Sequence, residues 1–454
     1  MTEQHTVADT AWTAEHSGDA FVLVLAHHPD PKLVGLQRVL SEGDRWVIGR
    51  GRSVLGPGVL DDSRVSGEHA VIGLRRNAVL LRDFDSRNGT KVNGHRIDSC
   101  QLVPGDVVAI GSAVWVLCHE PVDRPGPRPH ELGMVGVGWT LQRVLQQAVQ
   151  VAPRPTTVLV LGEPGVGKEL VARAIHQRSG RTGELLAINC GAMNEQLLQS
   201  ELFGHVRGAF SGAGKSRQGL VAAAHGGTLF LDEIGDASPA LQVSLLRLLE
   251  NGEYRPVGSD RVEHADVRVV AATNRLGSGP DCSQLRADLH GRLSQWTIQV
   301  PPLRHRREDI PSLAAHFGAQ HRSGPIQLDH RLALALCLHD WPGNVRELAS
   351  FMERTVVECG GAEKLRPSPE QLRALALGRQ PATIPSVSSS VSHSSPGPRV
   401  ARPEAAELEA GLIECGGSMK ELANRLGVGR NTLYRWFAAA GLDPKQVRSG
   451  GSQG

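Results

Sequence analysis

The sequence predicts a multidomain protein: an all-β sandwich over residues 20–120, a parallel α/β domain over 133–365, and an all-α helix-turn-helix over 404–443. Three observations carry this. Short apolar runs broken by Gly, Asp and Asn recur through the first part of the chain. In the centre, a G-x-x-x-x-G-K segment joins a β-like run to a helical one. Near the C-terminus, two helical stretches flank Gly427-Val-Gly429.

Length and composition set the frame. At ~100–200 residues per domain, 454 residues give room for several cores. Hydrophobic residues make up 40% and charged residues 21%, as in ordinary globular proteins. No run reaches the ~18 apolar residues of a membrane span. Met1–Ala14 lacks a basic start followed by an apolar stretch, so neither membrane insertion nor export is expected, and a cytoplasmic location is. The formal net charge is +2, so any nucleic-acid binding has to come from a local patch. The seven cysteines are scattered without C-x-x-C and read as reduced thiols.

The strand-like runs of the first domain are Phe21–Ala26, Trp46–Gly49, His69–Leu74, Val79–Asp83 and Val114–Cys118. Residues 1–19 read as a loose end, 121–132 as a Pro-rich linker, 366–403 as a Pro/Ser-rich tether and 444–454 as a tail.

In the central domain, Thr157–Leu161 leads into Gly162-Glu163-Pro164-Gly165-Val166-Gly167-Lys168-Glu169, followed by a helix over Glu169–Arg178. Glycines let backbone N–H groups curl around phosphates, the helix N-terminus adds positive potential, and Lys168 supplies a point charge. Glu169 stands where the general motif has Ser or Thr for magnesium. Further on, the apolar run Gly227–Leu231 ends in Asp232-Glu233, a pair suited to hold Mg2+ beside nucleotide phosphates and to orient a water.

This segment resembles the AAA+ domain of bacterial enhancer-binding proteins, the ATPases that activate sigma-54 RNA polymerase. GEPGVGKE is similar to the family's GESGTGKE, which also ends in Glu. The run from Glu201 to Ala213 resembles ELFGHxxGAFTGA, Pro301–Ile310 resembles PPLRxRxxDI, and Trp341–Leu348 matches WPGNVREL. The resemblance implies an ATPase with a small helical lid, using ATP and Mg2+. It implies Asn189 as the switch residue for Glu233, and Thr273 and Asn274 at the sensor I site. Arg286 and Arg292 align with two arginine fingers that act on a neighbouring subunit's nucleotide, which requires a ring, in this family a hexamer. Arg346 falls at sensor II. Gly208, Ala209, Phe210, Ser211, Gly212 and Ala213 correspond to the loop that contacts sigma-54, with Ser211 where the family has Thr.

The C-terminal stretch reads as helices over Pro403–Cys415, Ser418–Leu426 and Arg430–Ala440, with Ser418 as an N-cap. Arg430, Asn431, Thr432, Tyr434 and Arg435 would face DNA. Residues 418–448 hold six Lys/Arg against two Asp/Glu, a local +4. The pattern resembles the Fis-type domain of the same regulators.

In the first domain, Gly49-Arg50, Ser66-Gly-Glu-His69 and Asp85 through Asn88-Gly to Asn93-Gly94 resemble a forkhead-associated (FHA) domain, a phosphothreonine reader. Arg50 and Ser66 suit a dianionic phosphate, Asn88 and Asn93 would fix peptide and loop backbone, and His69 would support the loops. Gly67 departs from the Arg or Asn many members carry. Together the resemblances imply a transcription activator that binds upstream DNA and remodels sigma-54 polymerase with ATP under phosphothreonine control. Two alternatives are a DNA-binding regulator without sigma-54 activation, and a phosphothreonine adaptor using the ATPase domain as scaffold.

Overall fold

In a computed structural model, the described residues are 19–121 except 53, 129–378 except 211–212, 275–284 and 323, and, near the C-terminus, 403, 405–415, 419–426, 433, 436–437, 440 and 442. By backbone contacts the chain divides into two compact units, 1–386 and 387–454.

The first part of unit one is a sandwich of ten strands: β1 (Asp19–His27), β2 (Gln37–Leu40), β3 (Arg45–Ile48), β4 (Ala70–Arg75), β5 (Ala78–Asp83), β6 (Thr90–Val92), β7 (His95–Ile97), β8 (Ser99–Leu102), β9 (Val107–Ile110) and β10 (Ala113–Pro121). One sheet has the order β2-β1-β10-β9-β6-β7, the other β3-β4-β5-β8, and every pairing is antiparallel. Period-2 alternation sends Leu23, Leu25, Ile72, Leu81, Val108 and Trp115 into the shared core. The ends of β1 and β10 are apolar on both faces, because Ala26, Val114 and Val116 pack outward against Cys337 and Leu338 of the next domain.

That domain begins with α1 (Trp139–Val151) and β11 (Val158–Leu161), then α2 (Lys168–Gln177), β12 (Leu185–Asn189), α3 (Glu195–Phe203), α4 (Leu220–Ala223), β13 (Thr228–Asp232), α5 (Pro239–Asn251), the short ribbon β14 (Glu253–Tyr254) and β15 (Glu263–His264), β16 (Arg268–Thr273), α6 (Ala287–Leu293) and β17 (Trp296–Gln299). The parallel sheet runs β12-β13-β16-β11-β17. Alternate residues feed two core layers: Leu159, Leu229, Leu231, Val269 and Ala271 on one face, Val158, Val160, Phe230, Val270 and Ala272 on the other. Asn189, Asp232 and Thr273 end their strands on the same edge, where ligands of open parallel sheets bind.

The lid comprises α7 (Ile310–Gln320), α8 (His330–Leu338), α9 (Asn344–Glu358) and α10 (Pro369–Leu377), with a two-strand bridge between β18 (Gln327–Leu328) and β19 (Lys364–Leu365). Its core gathers Leu303, Leu332, Leu336, Trp341, Leu348 and Met352. The tether expected from Arg366 starts later than the composition implies. Ser368 and Gln371 form a reciprocal capping box, and Leu375 buries in the lid core, so residues 369–377 are helical.

Unit two holds α11 (Ala405–Glu414) and α12 (Met419–Arg425). Leu408, Leu412, Met419, Leu422, Leu433 and Phe437 form its core. The expected cap Ser418 and the expected DNA-facing residues Arg430, Asn431, Thr432, Tyr434 and Arg435 lie outside the described residues. Of the seven cysteines, six are described, all as free thiols.

Candidate functional site

The turn from β11 into α2 is made by glycines. Gly165 and Gly167 adopt φ of +77° and +102°, which a side chain would disfavour. At Gly165 a Cβ would stand 2.5 Å from the Gly343 carbonyl oxygen and 3.1 Å from Arg346 Cβ. The start of α9 therefore sits directly on the phosphate loop, and Val345 N–H donates to Gly165 O at 3.0 Å. This also places Arg346 beside the loop.

Glu163 is a strut inside that contact. It accepts two hydrogen bonds from Arg304, at 2.7 and 2.9 Å, and one from Asn344 Nδ2 at 3.0 Å. Asn344 also donates to Pro164 O at 3.2 Å. Burial raises the Glu163 carboxyl, but the donors Arg304 and Asn344 outweigh it and hold the pKa below the ordinary value. Val166 is buried, and its carbonyl accepts from Arg306 at 3.0 Å. Glu169 instead pairs outward with Arg173 at 2.7 Å. The sequence alone does not single out Arg304 or Asn344 as site residues, although they fall inside the Pro301–Ile310 and Trp341–Leu348 motifs.

Lys168 is 7% exposed, and its Nζ donates to Gly162 O at 2.8 Å and Glu163 O at 3.3 Å. Burial lowers its pKa, Asp232 and Glu233 pull it back up, and Arg346 pushes it down. These four charges thus share one electrostatic field. Asp232 Oδ1 accepts the Glu233 N–H at 3.1 Å. Glu233 takes a left-handed φ of +53°, an uncommon setting for a side-chain-bearing residue. A Cβ on Gly191 would lie 3.1 Å from Glu233 Oε2, 3.0 Å from Asp236 Oδ2 and 3.5 Å from Asn189 Oδ1. Asn189, Glu233 and Asp236 therefore converge on a space that Gly191 keeps open. Asn189 Oδ1 also accepts the Gly191 N–H at 2.8 Å. Thr273 is buried at the end of β16, and its carbonyl accepts the Gly162 N–H at 3.2 Å. Asn274 follows it and is exposed.

Arg286 and Arg292 are not part of this cluster. Arg286 makes a bidentate contact to Asp288 at 2.8 and 3.1 Å, and Arg292 pairs with Glu250 at 3.2 Å. Both arginine side chains are about half exposed. Asp288 raises the Arg286 pKa further. Neither arginine is among the charges acting on Lys168.

Between α3 and α4, Gly208 N–H donates to Ala213 O at 2.9 Å and Ala213 N–H to Phe210 O at 3.0 Å. Ala209 backs against Gly258. Phe210 meets His205 edge-on, ring centroids 5.1 Å apart. His205 anchors the base of the segment through Ser200 Oγ at 2.7 Å and Lys215 O at 3.0 Å. Ser211 and Gly212 lie outside the described residues.

At the loop edge of the sandwich, a Cβ on Gly49 would stand 2.0 Å from Gly67 O. That close approach brings Arg50 N–H to Ser66 O at 2.9 Å and leaves the Arg50 side chain exposed. Arg52, unmarked by the sequence, reaches over the same turn to Gly67 O at 3.3 Å and Glu68 at 2.7 Å. Ser66 Oγ accepts from Arg87 N–H at 3.3 Å, and Asn88 Nδ2 donates to Arg64 O at 2.7 Å. Asn93 is committed elsewhere: its amide spans Asp106 at 2.7 Å and Val107 N–H at 2.9 Å, which narrows its expected role to loop support. His69 is fully buried between Ser66 N–H and Ser86 Oγ, each 3.1 Å away. The hub beneath is Asp83, which accepts from Ser86 and Thr90 through both backbone and hydroxyl donors. A cavity of about 360 Å3 opens nearby, lined by His28, Asp61, Asp62, Ser63 and Ser112.

A P-loop ATPase core with a helical lid, a β-sandwich input domain and a helical C-terminal unit defines a regulatory ATPase. Residues 134–299 match the sigma-54 interaction domain and 304–383 the AAA+ ATPase lid domain. Residues 46–111 match the FHA domain and 400–435 the Fis family of bacterial regulatory proteins. Over 320 residues the chain is 43% identical to the transcriptional regulatory protein ZraR of Escherichia coli (strain K12), covering 68% of this chain and 69% of that one. Over 230 residues it is 47% identical to the Nif-specific regulatory protein of Azotobacter vinelandii, covering 49% and 44%. A crystal structure of NtrX from Brucella abortus in complex with ATP aligns at 29% identity and a TM-score of 0.47, covering 68% and 70%. The chain belongs to the family of sigma-54-dependent transcriptional activators, with an AAA+ ATPase core, an FHA domain and a Fis-type DNA-binding domain. Among the described residues no helix is long and apolar enough to cross a membrane.

Proposed function

We propose that the protein hydrolyses ATP to remodel sigma-54 RNA polymerase from closed to open complex, in the cytoplasm, as a hexameric ring controlled by a phosphothreonine ligand of the FHA domain. The observation that carries the reading is the convergence of Lys168, Asp232, Glu233, Asn189 and Arg346 on one loop and sheet edge. ATP would lie along Gly162–Glu169, with Thr273 and Asn274 at the far wall. Mg2+, a hard cation that takes carboxylate and phosphate oxygens, fits Asp232 as its protein ligand and would neutralise phosphate charge. Lys168 would exchange its loop carbonyls for phosphate oxygens. Glu233 would orient the attacking water, and Asn189 would hold Glu233 away from it until nucleotide is seated. Arg286 and Arg292 would leave Asp288 and Glu250 to meet a neighbouring subunit's nucleotide, an interaction worth ~10³–10⁵ in rate. Arg346 would pass nucleotide state to the lid, and Gly208–Ala213, with Ser211 in place of the family's Thr, would engage sigma-54. Arg430, Asn431, Thr432, Tyr434 and Arg435 would read upstream DNA, supported by the local +4 charge.

The test is open-complex formation by sigma-54 polymerase on a supercoiled promoter with an upstream site. Opening should require hydrolysable ATP and vanish in Glu233→Ala. Ser211→Ala reports whether the loop hydroxyl contributes. ATPase activity without opening, in the full chain and after deletion of residues 1–130, would refute the activator reading.

A further inference from the structure

The FHA domain and the ATPase lid meet in a built interface. Ala26, Val107, Val114 and Val116 of the sandwich bury against Cys337 and Leu338 of α8. His27, at the end of β1, is buried and feels His330 and Asp329 across the contact. Arg307 Nη1 donates to Gly105 O at 3.3 Å. Arg64 completes the contact: its Nη1 lies 3.0 Å from Nε2 and 3.1 Å from Nδ1 of His330, the first residue of α8.

Arg64 also belongs to the loop edge proposed above to take a phosphopeptide. Its carbonyl accepts the Asn88 amide at 2.7 Å, and Ser66 stands two residues on. One residue therefore holds Asn88 with its backbone and the lid with its side chain. We infer that phosphopeptide binding and docking of the FHA domain on the lid compete through Arg64, so that the phosphopeptide releases α8 and the lid controls access to the phosphopeptide site. This rests on the phosphothreonine reading of Arg50, Ser66 and Asn88.

Two physical terms set the sign. A peptide that engages the Asn88 amide takes it from Arg64 O and frees the segment carrying Arg64. A phosphate dianion is also a stronger partner for a guanidinium than a neutral imidazole, and it carries more charge than the Asp62 carboxylate that Arg64 Nε meets at 3.5 Å; the Arg64 side chain is exposed enough to swing, at 45%. Coupling between two binding equilibria is reciprocal and is typically 5–150-fold in affinity. The lid carries Arg346 against the phosphate loop, so freeing α8 would act on the nucleotide site without touching it.

The test uses the full chain and a pool of phosphothreonine peptides with randomised flanks, beside its unphosphorylated counterpart. His330→Ala lies in the ATPase lid, and Asp329 still caps its helix. It should tighten phosphopeptide binding at least fivefold, whereas Arg50→Ala should abolish binding. In wild type, the pool should accelerate amide exchange across residues 330–338. Equal affinity of wild type and His330→Ala, with binding still lost in Arg50→Ala, would overturn the coupling while leaving the phosphothreonine reading intact. Binding by neither wild type nor His330→Ala would refute that reading and the inference together. Unchanged exchange over 330–338 in a chain that binds the pool would also overturn it.

Discussion

Glu120 closes β10 where the sandwich meets the ATPase, only 5% exposed. Burial, then the nearby Asp309 carboxylate, pushes its pKa up to about 7. A carboxyl whose folded pKa exceeds its unfolded one binds more protons when folded. Its contribution is thus present at low pH, is lost as pH rises from about 4.5 through about 7, and changes no further above that. His27, driven down to about 4 by burial and the neighbouring His28 and His330, has the opposite sign: its contribution is lost as pH falls from 6.5 towards 4. The two slopes overlap, so wild type alone conceals both. Glu120→Gln should leave stability little changed at pH 4.5 and raise it by on the order of 1–3 kcal/mol at pH 8. Urea unfolding of both chains across that range checks it, and a difference that does not grow with pH would refute it.

At the scale of elements, motif and partner separate in what the sequence discloses. The phosphate loop, β13 with Asp232-Glu233, and the start of α9 are legible because their chemistry lies within eight-residue stretches. Their joinery is not legible. Glu163 meets Arg304 across 141 positions and Asn344 across 181, and Arg64 meets His330 across 266. No local pattern encodes such pairings. The outward face of β1 and β10 did leave a trace: Phe21–Ala26 and Val114–Cys118 are apolar without alternation, the signature of a strand covered on both sides. The helix α10 was hidden because its Pro and Ser residues serve as cap and first turn, and composition alone reads them as tether. The Glu163 strut makes a prediction of its own. Glu163→Gln should weaken binding of a fluorescent ATP analogue roughly tenfold, since it costs a charge-assisted bond of about 1.5 kcal/mol or more that fixes the loop to α9. Arg304→Gln should cost a similar factor, and the double variant much less than the product. Strict additivity would show that the two do not act as one unit.

Over the whole molecule, the charges of the site are divided. Lys168, Asp232, Glu233 and Arg346 share one field, whereas Arg286 and Arg292 are neutralised by Asp288 and Glu250 and point to solvent. A single chain holding two arginines apart from its own phosphate loop is incomplete by itself if those arginines act on nucleotide. Head-to-tail rings supply the missing half, because each interface joins one surface to a different one. This gives a sharp expectation. Glu233→Ala chains and Arg286→Ala chains should each hydrolyse ATP far more slowly than wild type. When the two are mixed in equal amounts and reassembled, roughly a quarter of the interfaces in a random ring pair an intact Glu233 with an intact neighbouring Arg286. Activity should therefore recover to about a quarter of wild type, and the recovery should fall on dilution as rings dissociate. If Arg286 acted within its own chain, every subunit in the mixture would still lack one group and no recovery would occur. A steady-state phosphate-release assay across mixing ratios distinguishes the two, since recovery through the interface peaks at the equal mixture and returns to the low values of the parents at either end.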